Sequence, residues 1–200
     1  MRISLYHPKK KTAEIEWRGK IVFLSEECAK KAGIDIHSDI PEELLPTLVA
    51  ESEDFLCKKY LYSQLDKYFK TKYGYYKKLT EKGFSKSSAK KAVDKAEELG
   101  FIDDGYFVER YIERNCAKKG KFAIKRELLS KGVASDIIDA KLAEAEFSSD
   151  SLLALAEKLV KRTDDIRKDK ATLYRKLVSR GFSYDDVNAA IQKIFSEDFD

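Results

Sequence analysis

Proline is scarce: Pro8, Pro41 and Pro46 are the only three in 200 residues, and none of the 154 positions after Pro46 carries one. Because proline removes a backbone donor and clashes with the preceding turn, its absence leaves that stretch free to form long helices. Cysteine is as rare. Cys28, Cys57 and Cys116 are odd in number, far apart and without a CxxC pair, so neither a disulfide framework nor a zinc site is indicated and all three are expected reduced. Histidine occurs twice, at His7 and His37. With both in the N-terminal segment, no Ser/His/Asp arrangement or HExxH pair exists, and the nine glycines form neither a Walker A loop nor GxGxxG. The chain is therefore not expected to be an enzyme, and no cofactor or metal is expected. Apolar runs are short, such as Ile21 to Leu24, so no segment can span a bilayer. Met1 to Pro8 lacks the apolar stretch and small-residue cleavage site of a secretory signal, which points to the cytoplasm.

The residues that are present can build a core. Hydrophobic side chains make up 43% of the chain, enough for one or two compact domains. Net charge is only +4, yet residues 58–132 hold 20 Lys and Arg against 10 Asp and Glu, which leaves the remainder of the chain acidic. Such an asymmetry is either a solvated helix surface or a patch for a polyanion or an acidic protein.

The strongest pattern is an internal repeat. Gly83, Gly132 and Gly181 are spaced by 49 residues each; Leu79, Leu128 and Leu177 stand four before them, and Phe84, Val133 and Phe182 one after. Tyr75, Ile124 and Leu173 extend the leucine positions into i, i+4 stripes. After the glycine, Ala89, Val93 and Ala96, then Ile138, Leu142 and Ala145, then Val187, Ile191 and Ile194 fall at i, i+4, i+7. Each repeat thus reads helix, glycine turn, helix, with the glycine in left-handed geometry at a C-cap and Ser85 and Ser183 as N-caps. Ala134 cannot cap, and Ser135 is expected to take its place. A further helix precedes each pair, with Tyr62, Tyr111 and Val160 equivalent and Lys58, Phe107 and Ala156 four before them. Ahead of the repeats, Ile15 and Trp17, Arg18-Gly19, and Ile21 to Leu24 read as a hairpin, with Ile3 and Leu5 in a third strand and a short helix near Glu26 to Ala32.

The expected fold is mainly α: tandem three-helix repeats in an elongated curved array, with a small β-containing N-terminal segment. The expected division is residues 1–50 for that segment, then 51–102, 103–148 and 149–200 for the three repeats. Asp103-Asp104 reads better as a helix N-cap than as a metal pair. Helix, glycine turn and helix also resembles a DNA-reading motif, but Lys86, Lys90 and Lys91 are replaced by Asp136, Asp139, Asp185 and Asp186 in the other repeats, so at most one repeat could enter a groove.

Leu79 to Phe84, Leu99 to Val108, Gly120 and Glu127 to Val133 resemble, in order and spacing, the RecX regulatory family, and Leu177 to Ser183 is similar to its third repeat. The resemblance covers about residues 55–195. It implies a bacterial, all-helical protein that lies in the deep groove of the RecA recombinase filament on DNA. Strand exchange, ATP hydrolysis and repressor co-cleavage would be restrained there and filament disassembly favoured.

The resemblance brings no residue-level site, so candidate binding residues rest on charge. They are Lys72, Lys77 and Lys78 in the first repeat and Lys118, Lys119, Lys121, Lys125 and Arg126 in the second, interleaved with Tyr73, Tyr75, Tyr76 and Phe122, rings of which most are expected in the core. Lys170, Arg175 and Lys176 hold the corresponding places in the third repeat beside Asp164, Asp165 and Asp169, and are expected to contribute less. Lys30, Lys31 and Lys193 are expected to lie off the face. The partners expected are the RecA filament and DNA, directly or through the filament, bound by a monomer; the alternative is a helical DNA-binding protein that acts without RecA.

Overall fold

The computed structural model describes residues 4–160 and 165–196; Ile3 and Asp164 lie outside them. Among the described residues the chain forms three strands, ten α-helices and one 3-10 turn. It divides into two compact units, Met1–Ile102 and Asp103–Asp200.

The first unit opens with an antiparallel sheet in the order β1 (Leu5–His7), β2 (Thr12–Trp17), β3 (Lys20–Ser25). Trp17 pairs with Lys20, and the two residues between them, Arg18 and Gly19, have φ of 51° and 72°. Such a two-residue left-handed turn matches the twist of the strands it joins. Alternation then sorts the faces: Ala13, Ile15 and Leu24 are buried, while Leu5, Ile21 and Phe23 point outward. Helix α1 (Glu26–Lys31) follows β3 directly, and the chain enters α2 (Leu45–Leu65) through a 3-10 turn at Glu42–Leu44, with Pro46 in the first helical turn, where its missing N–H costs nothing.

Helix α2 serves two cores. Its first turns place Leu45 and Leu48 against Ile15, Leu24, Ala29 and Ile40 under the sheet, and the Ser25 amide donates to the buried Ser52 hydroxyl at 2.9 Å. Its later turns place Cys57 and Leu61 against α3 (Lys72–Glu81) and α4 (Lys86–Glu98), with Tyr75, Leu79, Ala89, Val93 and Ala96. The helix runs unbroken through the expected division at residue 50. Lys58, aligned with Phe107 and Ala156, is exposed where they are buried. The apolar positions that the later turns of α2 bury are Cys57 and Leu61, so the 49-residue register holds for the second and third helices but slips on the first.

The second unit contains α5 (Asp104–Asn115), α6 (Lys121–Ser130) and α7 (Ser135–Glu144), then α8 (Ser149–Leu159), α9 (Ile166–Ser179) and α10 (Tyr184–Ser196). In each set the first helix packs on the third: α2 on α4, α5 on α7 and α8 on α10. Val108, Ile112, Ile124, Leu128 and Ile138 form one core; Leu152, Ala156, Leu173, Leu177, Val187 and Ile191 form the other. Leu79, Leu128 and Leu177 are all buried as expected.

Gly83, Gly132 and Gly181 have φ of 102°, 78° and 79°, and each ends the second helix of its set. The amide after the glycine bonds back to the carbonyl of the stripe leucine: Phe84 to Leu79 at 3.2 Å, Val133 to Leu128 at 3.3 Å, Phe182 to Leu177 at 3.4 Å. This six-residue closure satisfies the last carbonyls of the helix, so one leucine anchors the core with its side chain and the turn with its oxygen. Ser85 and Ser183 accept from the amides of Ser88 and Asp186 at 3.2 and 3.1 Å, and Asp103 from Tyr106 at 2.9 Å, as N-caps do. Ser135 does not cap. It is the first residue of α7, Ala134 holds the cap position without a side-chain bond, and the Ser135 hydroxyl donates to Asp139.

Gly120 and Gly181 also meet across the two helix sets of the second unit. The Gly120 amide donates to the Arg180 carbonyl at 3.0 Å and the Phe122 amide to the Gly181 carbonyl at 3.2 Å. The α9–α10 turn thereby supplies acceptors to the start of α6, whose cap residue has no side chain to do so.

Candidate binding surface

The eight candidate cations fall into two groups, three in the first unit and five in the second. Folding commits three of them. The Lys72 ammonium lies 2.6 Å from Asp94 and 2.7 Å from Glu97. The Asp94 carboxylate, then that of Glu97, holds it above the usual lysine range, and Lys72, then Lys90, holds Asp94 below its own. Lys119 lies 2.6 Å from Glu127, which also accepts from the Tyr111 hydroxyl. Burial, followed by that carboxylate, pushes the Tyr111 phenol up to about 12. Lys125 lies 2.5 Å from Asp139 and holds its carboxyl below the usual carboxylate range. These three side chains are half-buried: Lys72 and Lys125 bridge neighbouring helices of one set, and Lys119 ties the α5–α6 connection to α6, so their first role is to hold the helices of their sets in place.

The other five are presented outward. Lys77 is exposed and lies 3.8 Å from Glu81 on the next turn, a separation at which an exposed pair contributes little. The Lys78 ammonium sits 3.6 Å from the centre of the Tyr68 ring, and that of Lys121 5.1 Å from the Phe147 ring. Lys118 and Arg126 are exposed.

Lys121 and Lys125 line a cleft of about 650 Å³ between the two helix sets of the second unit, with Phe122, Phe147, Asp186 and Lys193. Phe122 is 67% exposed there. Lys193 was expected to lie off the binding face, but α10 carries it into this same cleft. Lys30 and Lys31 do lie elsewhere, paired along α1 with Glu26 and Glu27. In the third repeat the Lys176 ammonium donates to the Leu159 carbonyl and Lys170 stands 5.3 Å from the Phe195 ring, so these cations are occupied within the fold. Lys90 and Lys91 of α4 pair with Asp94 and Asp54.

Among the described residues no group of three or more His, Cys, Asp or Glu could hold a metal ion, and no helix is long and apolar enough to cross a membrane. Burial pushes the Cys57 thiol up to about 12, which leaves it unreactive at neutral pH. Two rings escaped the sequence reading: Tyr68 and Phe69, in the α2–α3 connection, are 47% and 52% exposed, beside Tyr73 at 49%. The flanking Lys67 and Lys70 were the available signal.

The described geometry has counterparts among known proteins. Residues 103–142 match the model of the RecX second three-helix domain, and residues 148–191 that of its third. The chain is 31% identical over 180 residues to the regulatory protein RecX of Clostridium tetani, covering 87% of this chain and 83% of that one. It is 32% identical over 175 residues to that of Clostridium perfringens strain 13, covering 84% and 82%. A crystal structure of a regulatory protein RecX superposes with a TM-score of 0.67 at 18% identity over 98% of both chains. RecX from Lactobacillus salivarius gives 0.65 at 23% identity over 72% of this chain and 97% of that one. The likeness in sequence over most of its length, with the tandem three-helix architecture, places this chain in the RecX family of regulatory proteins.

Proposed function

We propose that the protein regulates the RecA recombinase by binding the RecA–DNA filament in its groove, restraining strand exchange, ATP hydrolysis and co-protease activity. It would act as a monomer in the cytoplasm, in DNA repair and SOS control. The observation that carries the reading is the family relationship itself, extending over 87% of this chain. The outward cations Lys77, Lys78, Lys118, Lys121 and Arg126 support it, because a nucleoprotein filament presents both phosphates and acidic side chains, whereas Lys72, Lys119 and Lys125 contribute mainly by holding their helices. In this reading the repeats are 51–102, 103–148 and 149–200, behind an N-terminal segment of 1–50.

A second reading, that the protein acts on DNA without RecA, draws on the exposed rings beside the lysines of the first unit. A gel shift with single-stranded and duplex DNA, with and without RecA, separates the two. Binding that tightens when the filament is assembled supports the first; binding to bare DNA that RecA leaves unaltered supports the second.

A further inference from the structure

The corner between α2 and α3 carries a surface that helix packing does not use. From Lys67 to Thr80 the chain holds five lysines (67, 70, 72, 77 and 78), five aromatics (68, 69, 73, 75 and 76) and no acidic residue. Of the rings only Tyr75 is buried in the core, its hydroxyl donating to the Tyr68 carbonyl and tying the connection down onto α3. Of the lysines only Lys72 turns away, to Asp94 and Glu97.

What remains is contiguous by helix geometry. Tyr73 and Lys77 are i, i+4 neighbours on α3, and Lys78 lies about 100° further round. Gly74 stands one turn before Lys78 on the second of these rows, where a Cβ would lie 3.3 Å from Lys70 Cβ and 3.2 Å from Thr71 Oγ1. The missing side chain lets the connection lie flat on the helix, which brings the Tyr68 ring under the Lys78 ammonium. Tyr73 is backed by Tyr76, their rings 6.4 Å apart and 28° from parallel. The result is a pair of exposed rings, Tyr73 backed by Tyr76 and Tyr68 backed by the Lys78 ammonium, with Lys77 one turn on from Tyr73.

We infer that this corner is a binding site for single-stranded nucleic acid, the bases stacking on Tyr73 and Tyr68 while Lys77 and Lys78 meet the phosphates. The chemistry favours a single strand over a duplex, because duplex bases are already stacked and cannot offer their faces to a ring. It also favours nucleic acid over an acidic peptide, since half-exposed aromatic faces would remain uncovered by carboxylates. The inference deepens the filament reading, in which single-stranded DNA is at hand, and rests on it for setting only. The binding is tested without RecA.

The probe is a labelled oligo(dT) of about 16 nucleotides, titrated with the full chain by fluorescence anisotropy at several salt concentrations. Tyr73→Ala should weaken binding about tenfold with the melting temperature and the salt slope unchanged, and Tyr73→Phe should restore it, because stacking needs the ring and not the hydroxyl. Lys77→Ala should instead lower the slope of log affinity on log salt by about 0.7. Tyr184, a 65% exposed ring in the second unit, supplies the control: Tyr184→Ala should bind as the parent does. Duplex of equal length should compete poorly. Unchanged oligo(dT) affinity in Tyr73→Ala overturns the inference, and if inhibition of RecA is lost in the same variant the corner is a protein-binding surface and the filament reading stands. Equal weakening by Tyr73→Ala and Tyr184→Ala also overturns it. Ring-dependent oligo(dT) binding by a parent protein that leaves RecA unaffected upholds the site and removes the filament reading.

Discussion

Gly120→Ala tests the packing between the second and third helix sets more sharply than any core truncation. Gly120 has φ of −80°, which alanine adopts without strain, so backbone preference alone predicts a neutral or slightly stabilising change. The surroundings predict the opposite. A Cβ at Gly120 would overlap the carbonyl of Gly181 and the Cα of Phe182, all backbone, which cannot swing aside as a side chain can. Relief requires the α9–α10 turn to withdraw from α6, breaking the Gly120–Arg180 and Phe122–Gly181 bonds at about 1 kcal/mol each. Overpacking adds about 1 to 3 kcal/mol, for a total of roughly 3 to 5 kcal/mol. Gly83→Ala is the reference: φ is 102° and nothing lies within 4 Å of its Cβ position, so only the left-handed backbone is charged, at about 1 to 2 kcal/mol. In a unit of about 100 residues each kcal/mol moves the midpoint by about 4 to 8 °C. Thermal melts followed by far-ultraviolet circular dichroism should thus show Gly120→Ala falling clearly further than Gly83→Ala. A Gly120→Ala melt equal to the parent would refute the close approach.

Other outcomes follow from the same geometry. Leu128→Ala, at a fully buried position, should cost about 2 to 5 kcal/mol by chemical denaturation, and an unchanged midpoint would contradict its burial. Because the folded Tyr111 phenol is held near 12, above its ordinary value of about 10, its contribution is fully present below pH 10 and lost as pH rises from about 10 to 12; Tyr111→Phe should flatten that part of the stability profile, and an identical slope in both proteins would show that burial and Glu127 do not raise the phenol. Glu127, Asp94 and Asp139 are held below the ordinary carboxylate range by their lysines, so their contributions are present at neutral pH and should fade as pH falls through those lowered values; a stability profile flat below pH 4 would argue against the three ion pairs. Converting Lys118, Lys119 and Lys121 to Glu should abolish inhibition of RecA while Lys30→Glu with Lys31→Glu does little, and equal loss in both would mean that net charge alone drives binding. Lys119 pairs with Glu127, so Lys118→Glu with Lys121→Glu is the cleaner version of that test.

The repeat was legible because one physical requirement recurs at one spacing. A left-handed C-cap needs glycine, and the leucine four residues earlier must face the core, so Gly83, Gly132 and Gly181 with Leu79, Leu128 and Leu177 mark the same turn three times. Lys58 is exposed where Phe107 and Ala156 are buried because α2 is 21 residues long and serves the sheet as well as its own set, which frees its register from the period. Ser135 was misread because a serine one position late enters the helix as its first residue. The partners of Lys72 and Lys125 were not legible at all: their carboxylates, on Asp94 and Glu97 and on Asp139, meet them only after the next helix folds back, and Glu127 reaches Lys119 only once the connection turns onto α6. The exposed rings at Tyr68 and Tyr73 had a compositional signal, yet sequence cannot separate an exposed tyrosine from Tyr75, two positions on, which is core. The contact of Gly120 with Gly181 joins different helix sets and leaves no local trace.

The central claim is that this RecX-family chain acts on RecA within the filament. The ATPase of RecA on single-stranded DNA, measured as the protein is added up to one molecule per ten RecA, tests it most directly. The account predicts substantial loss of ATP hydrolysis below that ratio, since one bound molecule affects many neighbouring protomers, and the same loss when excess single-stranded DNA is supplied. Undiminished hydrolysis at one in ten, or inhibition relieved by added DNA, would contradict it.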